Sequence, residues 1–437
     1  MKYILIVINT LLISVSFPLL GNDTLILNGN TNSPIRFHRL YSAQQKYLSW
    51  IDKKHRDFPF GLPAIAYNKY DGIQIGAALI NLKQPVKHLD FTSTLLYGIA
   101  SKKINGTANL QYSIQPKKSV VSLIQPGLQF QSFSYYDNPK VLKYYKISPS
   151  LTLNFRHRSE KLEKYEHTIS FRNHTVFQKD LTYFLADINT IAFKDTLTRF
   201  YANVIQYTFK RNDVNFPFSA SLNIEQSRYF IKASFEANSF IRYQLKDYKT
   251  GVHLRLFAGG FMWRSNDYRF RRSSDVGFNL NGKRGEQDYL YNDFYIGRNE
   301  QENFAGRQIT KSDGFFKVST PLNSVETGQT VDWLLAMNIR LDFPVKYVPL
   351  KLFFDLGYSY DNHLNPNNIL PVKGFQYDGG FMFSFFDEGF EIYFPLFYSK
   401  EYKQYYKSNA PKFGQRVSFL LDIHKLELHR IIRNMKF

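Results

Sequence analysis

Ile104-Asn105-Gly106-Thr107-Ala108-Asn109-Leu110-Gln111-Tyr112-Ser113-Ile114 alternates apolar or small residues with polar ones without a break. Successive side chains of a strand point to opposite faces, so this stretch has one apolar and one polar surface. Leu89, Phe91, Leu95, Tyr97 and Ile99 oppose His88, Asp90, Thr92 and Thr94 just upstream. Downstream, Ile147, Leu151, Leu153 and Phe155 oppose Ser148, Ser150, Thr152 and Asn154. The pattern returns from Phe216 to Arg242, from Val252 to Leu256, from Val331 to Phe343, from Leu350 to Ser359, from Phe375 to Ser384 and from Val417 to His424. Asn138-Pro139, Asn212-Asp213, Asn365-Pro366-Asn367-Asn368 and Asp387-Glu388-Gly389 punctuate it with turn chemistry.

A soluble sandwich and a membrane barrel both use strands with one apolar face. Here the alternation runs for roughly ten residues, enough for a tilted strand to cross a bilayer. The apolar faces are nearly free of charge, and Tyr135-Tyr136, Tyr144-Tyr145, Tyr358, Tyr360 and Phe397-Tyr398 sit near strand ends, as interfacial girdles do. The expected fold is therefore all-β: a transmembrane antiparallel β-barrel of roughly 14–16 strands. On that reading Leu335, Met337 and Ile339 face lipid. A charge at Met337 should be costly, and a charge at Asn338, on the lumen side, far less so.

Composition narrows the classes further. The 437 residues hold 41 Phe and 31 Tyr, too much aromatic bulk for a disordered chain. With no Cys, a disulfide or Cys-ligated zinc scaffold is excluded. The formal charge of +20 comes from scattered Lys and Arg with no nucleic-acid motif, so no nucleic-acid partner is expected. Met1-Lys2, the apolar run Tyr3–Leu20 and Gly21 read as a signal peptide over 1–21, the mature chain starting near Asn22. Residues 22–67 read as a periplasmic lead-in or plug with a short amphipathic helix from Gln44 to Arg56, stopped by Phe58-Pro59-Phe60-Gly61-Leu62-Pro63. Residues 68–437 form the barrel, broken at about 264–328 by a polar segment expected to be a long extracellular loop.

The polar faces carry both signs. Lys232, Glu236 and Arg242, then Asp332, Arg340 and Asp342, then Arg416 and Asp422 are the expected lumen-facing charges. Mixed signs suit compensating pairs better than a selective ring. No H-E-x-x-H or G-x-S-x-G occurs, and His167 and His174, seven apart on a strand, lie on opposite faces. Gly277, Gly282 and Lys283 match the spacing of a phosphate loop, but Arg284 stands where Ser or Thr is needed, so the segment reads as a loop tip. No catalytic residue, cofactor or metal site is expected.

Tyr67-Asn68-Lys69-Tyr70-Asp71-Gly72-Ile73-Gln74-Ile75-Gly76, then Asn81, Pro85, Tyr97-Gly98 and Gly106, resembles the opening strands of the outer-membrane barrel fused behind gluzincin-type, aminopeptidase-like zinc metalloproteins, itself similar to surface-antigen barrels. Tyr295-Ile296-Gly297-Arg298, Trp333 to Pro344 and Gln415 to Leu426 extend the resemblance over roughly residues 60–437. The peptidase domain and its zinc ligands are not among these residues. The resemblance implies a barrel acting alone or beside a partner chain that supplies catalysis.

The expected function is a non-catalytic outer-membrane pore, anchor or docking module of Gram-negative type. Its expected partners are outer-membrane lipid and lipopolysaccharide, the barrel-assembly machinery and a periplasmic or surface protein. The rivals are a membrane-embedded hydrolase, marked by one His reaching both a Ser and a carboxylate, and the barrel partner of a separate metallopeptidase.

Overall fold

Strand β1 spans Pro59–Asn68 and meets β2, Gly72–Asn81, through a turn dictated by its own residues. The Asn68 side-chain oxygen accepts the N–H groups of Tyr70 at 3.0 Å and Asp71 at 2.7 Å, so the chain reverses at once. Gly72 closes the turn at φ +67°, where a Cβ would also lie 2.9 Å from that of Ala100. The hairpin begins earlier than the residue 68 at which the alternation starts the barrel. Pro59 and Pro63, read as breakers, lie in a strand paired on one side only, where a missing N–H does little harm.

This computed structural model describes residues 59–81, 88–117, 119–155, 165–187, 190–213, 216–243, 250–265, 276–300, 303–320, 327–343, 349–362, 372–386, 388–423 and 425. The signal peptide, the helix expected in 44–56 and the turn at 365–368 lie outside the described residues. The chain continues as β3 (Leu89–Gly98), β4 (Lys103–Tyr112), β5 (Val121–Tyr136), β6 (Leu142–Phe155), β7 (Tyr165–Asp187), β8 (Thr190–Arg211), β9 (Phe218–Ser227), β10 (Phe230–Arg242) and β11 (Gly251–Arg264). The short pair β12 (Phe278–Asn279) and β13 (Gln329–Thr330) follows. The chain then runs through β14 (Trp333–Asp342), β15 (Leu350–Asp361), β16 (Val372–Phe385), β17 (Phe390–Tyr398) and β18 (Ser418–Leu421).

All strands but β12 and β13 form one sixteen-stranded sheet in chain order, every neighbouring pair antiparallel. The count falls in the expected range. Among the described residues, β1 and β18 are its edges and are not paired to each other. With an even number of strands, β1 begins and β18 ends at the same end of the sheet. That end is called the termini end here, and the opposite one the far end.

The outer face is apolar. On β14, Trp333, Leu335 and Leu341 are exposed, while Leu334, Ala336, Asn338 and Asp342 are buried. Ile104 and Leu110 on β4, Leu222 on β9, Phe235 and Ile241 on β10 and Leu352 on β15 are likewise exposed. Large hydrophobics showing at period two over adjacent strands are what a lipid-facing wall requires. The buried core is on the other face, inside the curve of the sheet. Each hydrophobic cluster combines inward wall residues with side chains outside the sheet: Leu334 with Phe278, Leu280 and Phe316; Phe353 and Met382 with Ile309 and Phe315; Tyr144 and Val176 with Tyr291.

The helix Lys400–Asn409 joins β17 to β18 at the far end, where the sequence reading placed nothing helical. Tyr402 and Tyr406, four apart on one helix face, are buried in the first cluster, and Tyr402 donates to the Thr327 carbonyl at 3.1 Å. An outward arginine at Met337, midway along β14, is expected to destabilise by about 2–4 kcal/mol. Ser219→Glu, facing water inside the sheet, should change stability little. Refolding titrations into lipid measure both, and equal costs would show that the two faces are wrongly assigned.

Candidate functional site

The space inside the sheet is filled by the segment between β11 and β14. Its described residues 276–300 and 303–320 do not project as the expected extracellular loop. It turns inward and bonds to strands from one edge of the sheet to the other. Lys69 donates its N–H to the Ile296 carbonyl at 2.8 Å, and the Asn299 N–H reaches the Tyr70 hydroxyl at 2.7 Å. At the other edge Gln308 bridges to Phe419 of β18, and Phe304 stacks on the Phe419 ring at 4.3 Å. One segment can touch both edges only because the sheet curls round it. The segment is a plug, polar because the wall it meets is polar.

Its main anchorage is a belt at one height on five adjacent strands. Register aligns Asn238 of β10 with Arg255 of β11, then Asn338 of β14, Asp355 of β15 and Asp378 of β16. Arg255 donates to Glu236 at 2.6 Å, to the Asn338 side-chain oxygen at 2.9 Å and to the Asp313 carbonyl of the plug at 2.8 Å. Asn338 Nδ2 donates to Asp355 and to the Gly314 carbonyl, each at 2.9 Å. Asp355 and Asp378, directly opposite and both fully buried, would repel each other unaided. Lys317 of the plug places its ammonium 3.0 and 2.9 Å from the two Asp355 oxygens. Asp378 accepts the N–H groups of Lys317 at 2.9 Å and Val318 at 3.0 Å. Asn338 is thus a bonded partner and not a solvated lumen position, which corrects the expectation that a charge there is cheap.

A second anchorage joins the plug to β6 and β7. Lys146 donates to the Asn292 side chain at 2.6 Å and the Tyr291 carbonyl at 3.1 Å. Tyr144 stacks on Tyr291 with centroids 3.7 Å apart, and the Arg298 guanidinium lies over Tyr291 at 4.4 Å while bridging to Asp288 at 3.1 Å. Burial pushes the Asp293 carboxyl up to about 7, with the Asp288 charge adding and Arg298 opposing. Gly282-Lys283-Arg284, expected at a loop tip, is central to the plug. Lys283 pairs with Asp313 at 3.3 Å, and Arg284 donates to the carbonyls of Gly306, Thr320 and Glu300.

The expected lumen charges are now placed. Lys232 is buried, 3.0 Å from the Val276 carbonyl and 3.6 Å from Glu225, with plug rings Phe278 and Tyr289 over its ammonium at 5.2 and 4.9 Å. Glu236 is in the belt. Arg242 ends β10 on the same face. Arg340 pairs with Glu388 and Glu391, and Asp342 with His253 at 3.0 Å and Lys351 at 3.1 Å. Asp332 precedes β14 and pairs with Arg264 at 3.0 Å. Arg416 ends the short helix Phe413–Arg416, not a strand, and donates to the Tyr398 hydroxyl at 2.8 Å. Asp422 follows β18 and donates its N–H to the Gly389 carbonyl at 2.8 Å. Arg255, Asp355 and Asp378 show only the polar parity of their strands in sequence, and Lys317 shows no local signal.

Below the plug, a cavity of about 440 Å³ lies near the termini end. Lys311, Phe315 and Lys317 form its plug side, and Lys210, Arg211, Arg255 and Arg340 outnumber Glu388 and Glu391 on its wall. Lys311 is exposed to this cavity yet enclosed by the wall. Burial pushes its ammonium down to about 8, Glu388 opposing and Arg340 and Arg255 adding. Such a chamber can hold an anion. The Ser–His–acid arrangement required of a hydrolase does not assemble among the described residues. His174 meets Ser148 at 2.9 Å, but Lys146 and Arg172 are the charges near it, and the His253 partner Asp342 has no Ser beside it.

No family model matches the chain, and no curated protein matches it. Among solved structures, it is similar to BamA of Haemophilus ducreyi lacking POTRA domains 1–3, at 9% identity and TM-score 0.45, over 79% of this chain and 68% of that one. It is similar to CdiB of Acinetobacter baumannii at 10% identity and TM-score 0.37, over 79% and 57%. The siderophore receptor PirA of Pseudomonas aeruginosa gives 11% identity and TM-score 0.33, over 76% and 58%. Likenesses this distant bear on neither activity nor partners, and none of the three supports a relation to a barrel fused to a zinc peptidase.

Replacing Lys317 by Met removes the ammonium from Asp355 and leaves two buried carboxyl groups facing each other without it. A loss of about 3–5 kcal/mol is expected in a urea titration of the folded chain. Adding Asp355→Asn should restore most of it, because removing both charges is far cheaper than orphaning one. If the double variant is no more stable than Lys317→Met, the pair does not hold the plug.

Proposed function

We propose that this chain is an outer-membrane β-barrel closed at rest, serving as a membrane-embedded anchor or docking module without catalysis of its own. The observation that carries this reading is the plug. Two anchorages on opposite parts of the wall, one of them a buried ion pair, hold 276–300 and 303–320 across the space inside the sheet. A permanently open pore would leave that space to water. The apolar outer face supports a place in lipid, and the expected signal peptide supports export beyond the inner membrane. Outer-membrane lipid, the barrel-assembly machinery and a periplasmic or surface protein are the partners this reading implies.

Planar-bilayer recording tests it. The intact chain should give no steady conductance, whereas Lys317→Met combined with Arg255→Met, which frees the plug from the belt, should give frequent opening. A large, stable conductance from the intact chain would favour a pore and overturn the closed-barrel reading. Release of an amino-terminal residue from peptides by the pure chain, with or without zinc, would overturn the non-catalytic part.

A further inference from the structure

The chamber below the plug holds two cations that nothing in the fold uses. Lys311 lines the cavity of about 440 Å³ from the plug side and is exposed to it. Its ammonium takes part in no hydrogen bond or ion pair among the described residues. Lys210, next to last in β8, lines the same cavity from the wall, is exposed, and is likewise without such a partner among the described residues. The remaining cations of the lining are engaged: Lys317 with Asp355, Arg255 with Glu236, Arg211 with Asp213, and Arg340 with Glu388 and Glu391.

The acids around the chamber are engaged as well. Glu388 meets Arg340, Lys425 at 2.9 Å and Lys351 at 3.9 Å. Glu391 accepts from Ser384 at 3.1 Å and lies 3.4 Å from Arg340. Glu236 is 2.6 Å from Arg255 and accepts from Asn238 at 2.8 Å. Glu166, opposite Lys210 in register on β7, accepts from Asn212 at 2.6 Å. The chamber therefore carries surplus positive charge on both its plug side and its wall. An ammonium enclosed in this way loses hydration and gains no partner, a cost that a bound anion removes.

The number of surplus cations sets the charge of the anion. One negative charge neutralises one ammonium, and two are needed for both. Ser219 of β9 stands beside Lys210 in register and lines the same cavity, and its hydroxyl has no hydrogen bond among the described residues. A further donor is thus free next to the wall cation. The volume suits a small molecule.

We propose that this chamber binds a small anion carrying two negative charges, a dicarboxylate or a phosphate, which bridges Lys311 of the plug to Lys210 and Ser219 of the wall. Charge-assisted bonds from the two ammonium groups supply the recognition. The site goes beyond the closed-anchor reading and needs only a seated plug. Once occupied, it ties the plug to β8 and β9, strands that neither anchorage uses.

The test is a calorimetric titration of the full chain in detergent micelles, at neutral pH and low salt, with succinate, inorganic phosphate and acetate. At least one of the two dianions is expected to bind about tenfold or more tightly than acetate. Whichever binds more tightly names the class. Lys311→Gln should weaken that dianion at least about tenfold. Ser219→Glu places a carboxylate beside Lys210 and should do the same; it decides the matter if Lys311→Gln does not fold. Lys403→Gln, on the far-end helix, should bind as the parent does. Parental affinity in a folded Lys311→Gln or Ser219→Glu, or an equal loss in Lys403→Gln, overturns the site. Acetate binding as tightly as both dianions overturns the double charge, and no binding of any of the three overturns the proposal outright. The closed-barrel reading is tested separately by conductance, so failure of one is distinguishable from failure of the other.

Discussion

Charge buried inside a curled sheet must be neutralised from within, and that constraint organises this molecule. The wall places Asp355 and Asp378 opposite each other in register, away from solvent. The cation Lys351 of β15 pairs with Asp342 instead. Lys317 brings one from the plug, and the same stretch of backbone supplies two N–H groups to Asp378. The plug is thus required by the wall and not merely stored in it. Wall and plug are each electrostatically incomplete, and the belt from Asn238 to Asp378 is where they complete one another.

The same logic explains why the protein's core lies where a pore would be. The outer face gives its large hydrophobics to the surroundings. The apolar residues left for internal packing are a minority of inward positions, such as Leu334, Phe353 and Met382. These meet Phe278, Leu280, Phe315 and Phe316 from the plug, and the helix Lys400–Asn409 adds Tyr402 and Tyr406 at the far end. Burial of this apolar surface and satisfaction of the belt are coupled. Freeing the plug would expose aromatic side chains and orphan carboxylates together.

The sheet is legible because a strand that divides an apolar outer face from a polar interior cannot hide its period. Ile104 to Ile114 reads the same in sequence and in structure. What escaped the reading shares a cause. β1 is hidden by Pro59 and Pro63, which an edge strand tolerates readily, and an edge is a property of the whole sheet. The plug looks like an outer loop because a segment lining a polar interior has a loop's composition; nothing in Gly282-Lys283-Arg284 says which side it faces. Asn338, Asp355 and Asp378 showed their polar face, but not that register would string them together. Lys317 gave no local signal, since its importance lies wholly in two carboxylates far along the chain.

Of the charges expected in the lumen, those on long strands differ from those near loops for the same reason. Lys232, Glu236, Arg340 and Asp342 lie within strands, where period two fixes the face, and each has a partner of opposite sign. Arg416 and Asp422 flank a four-residue strand, too short to carry a period, and Arg416 belongs to a helix. Parity along the chain identifies a face only where the ladder is long.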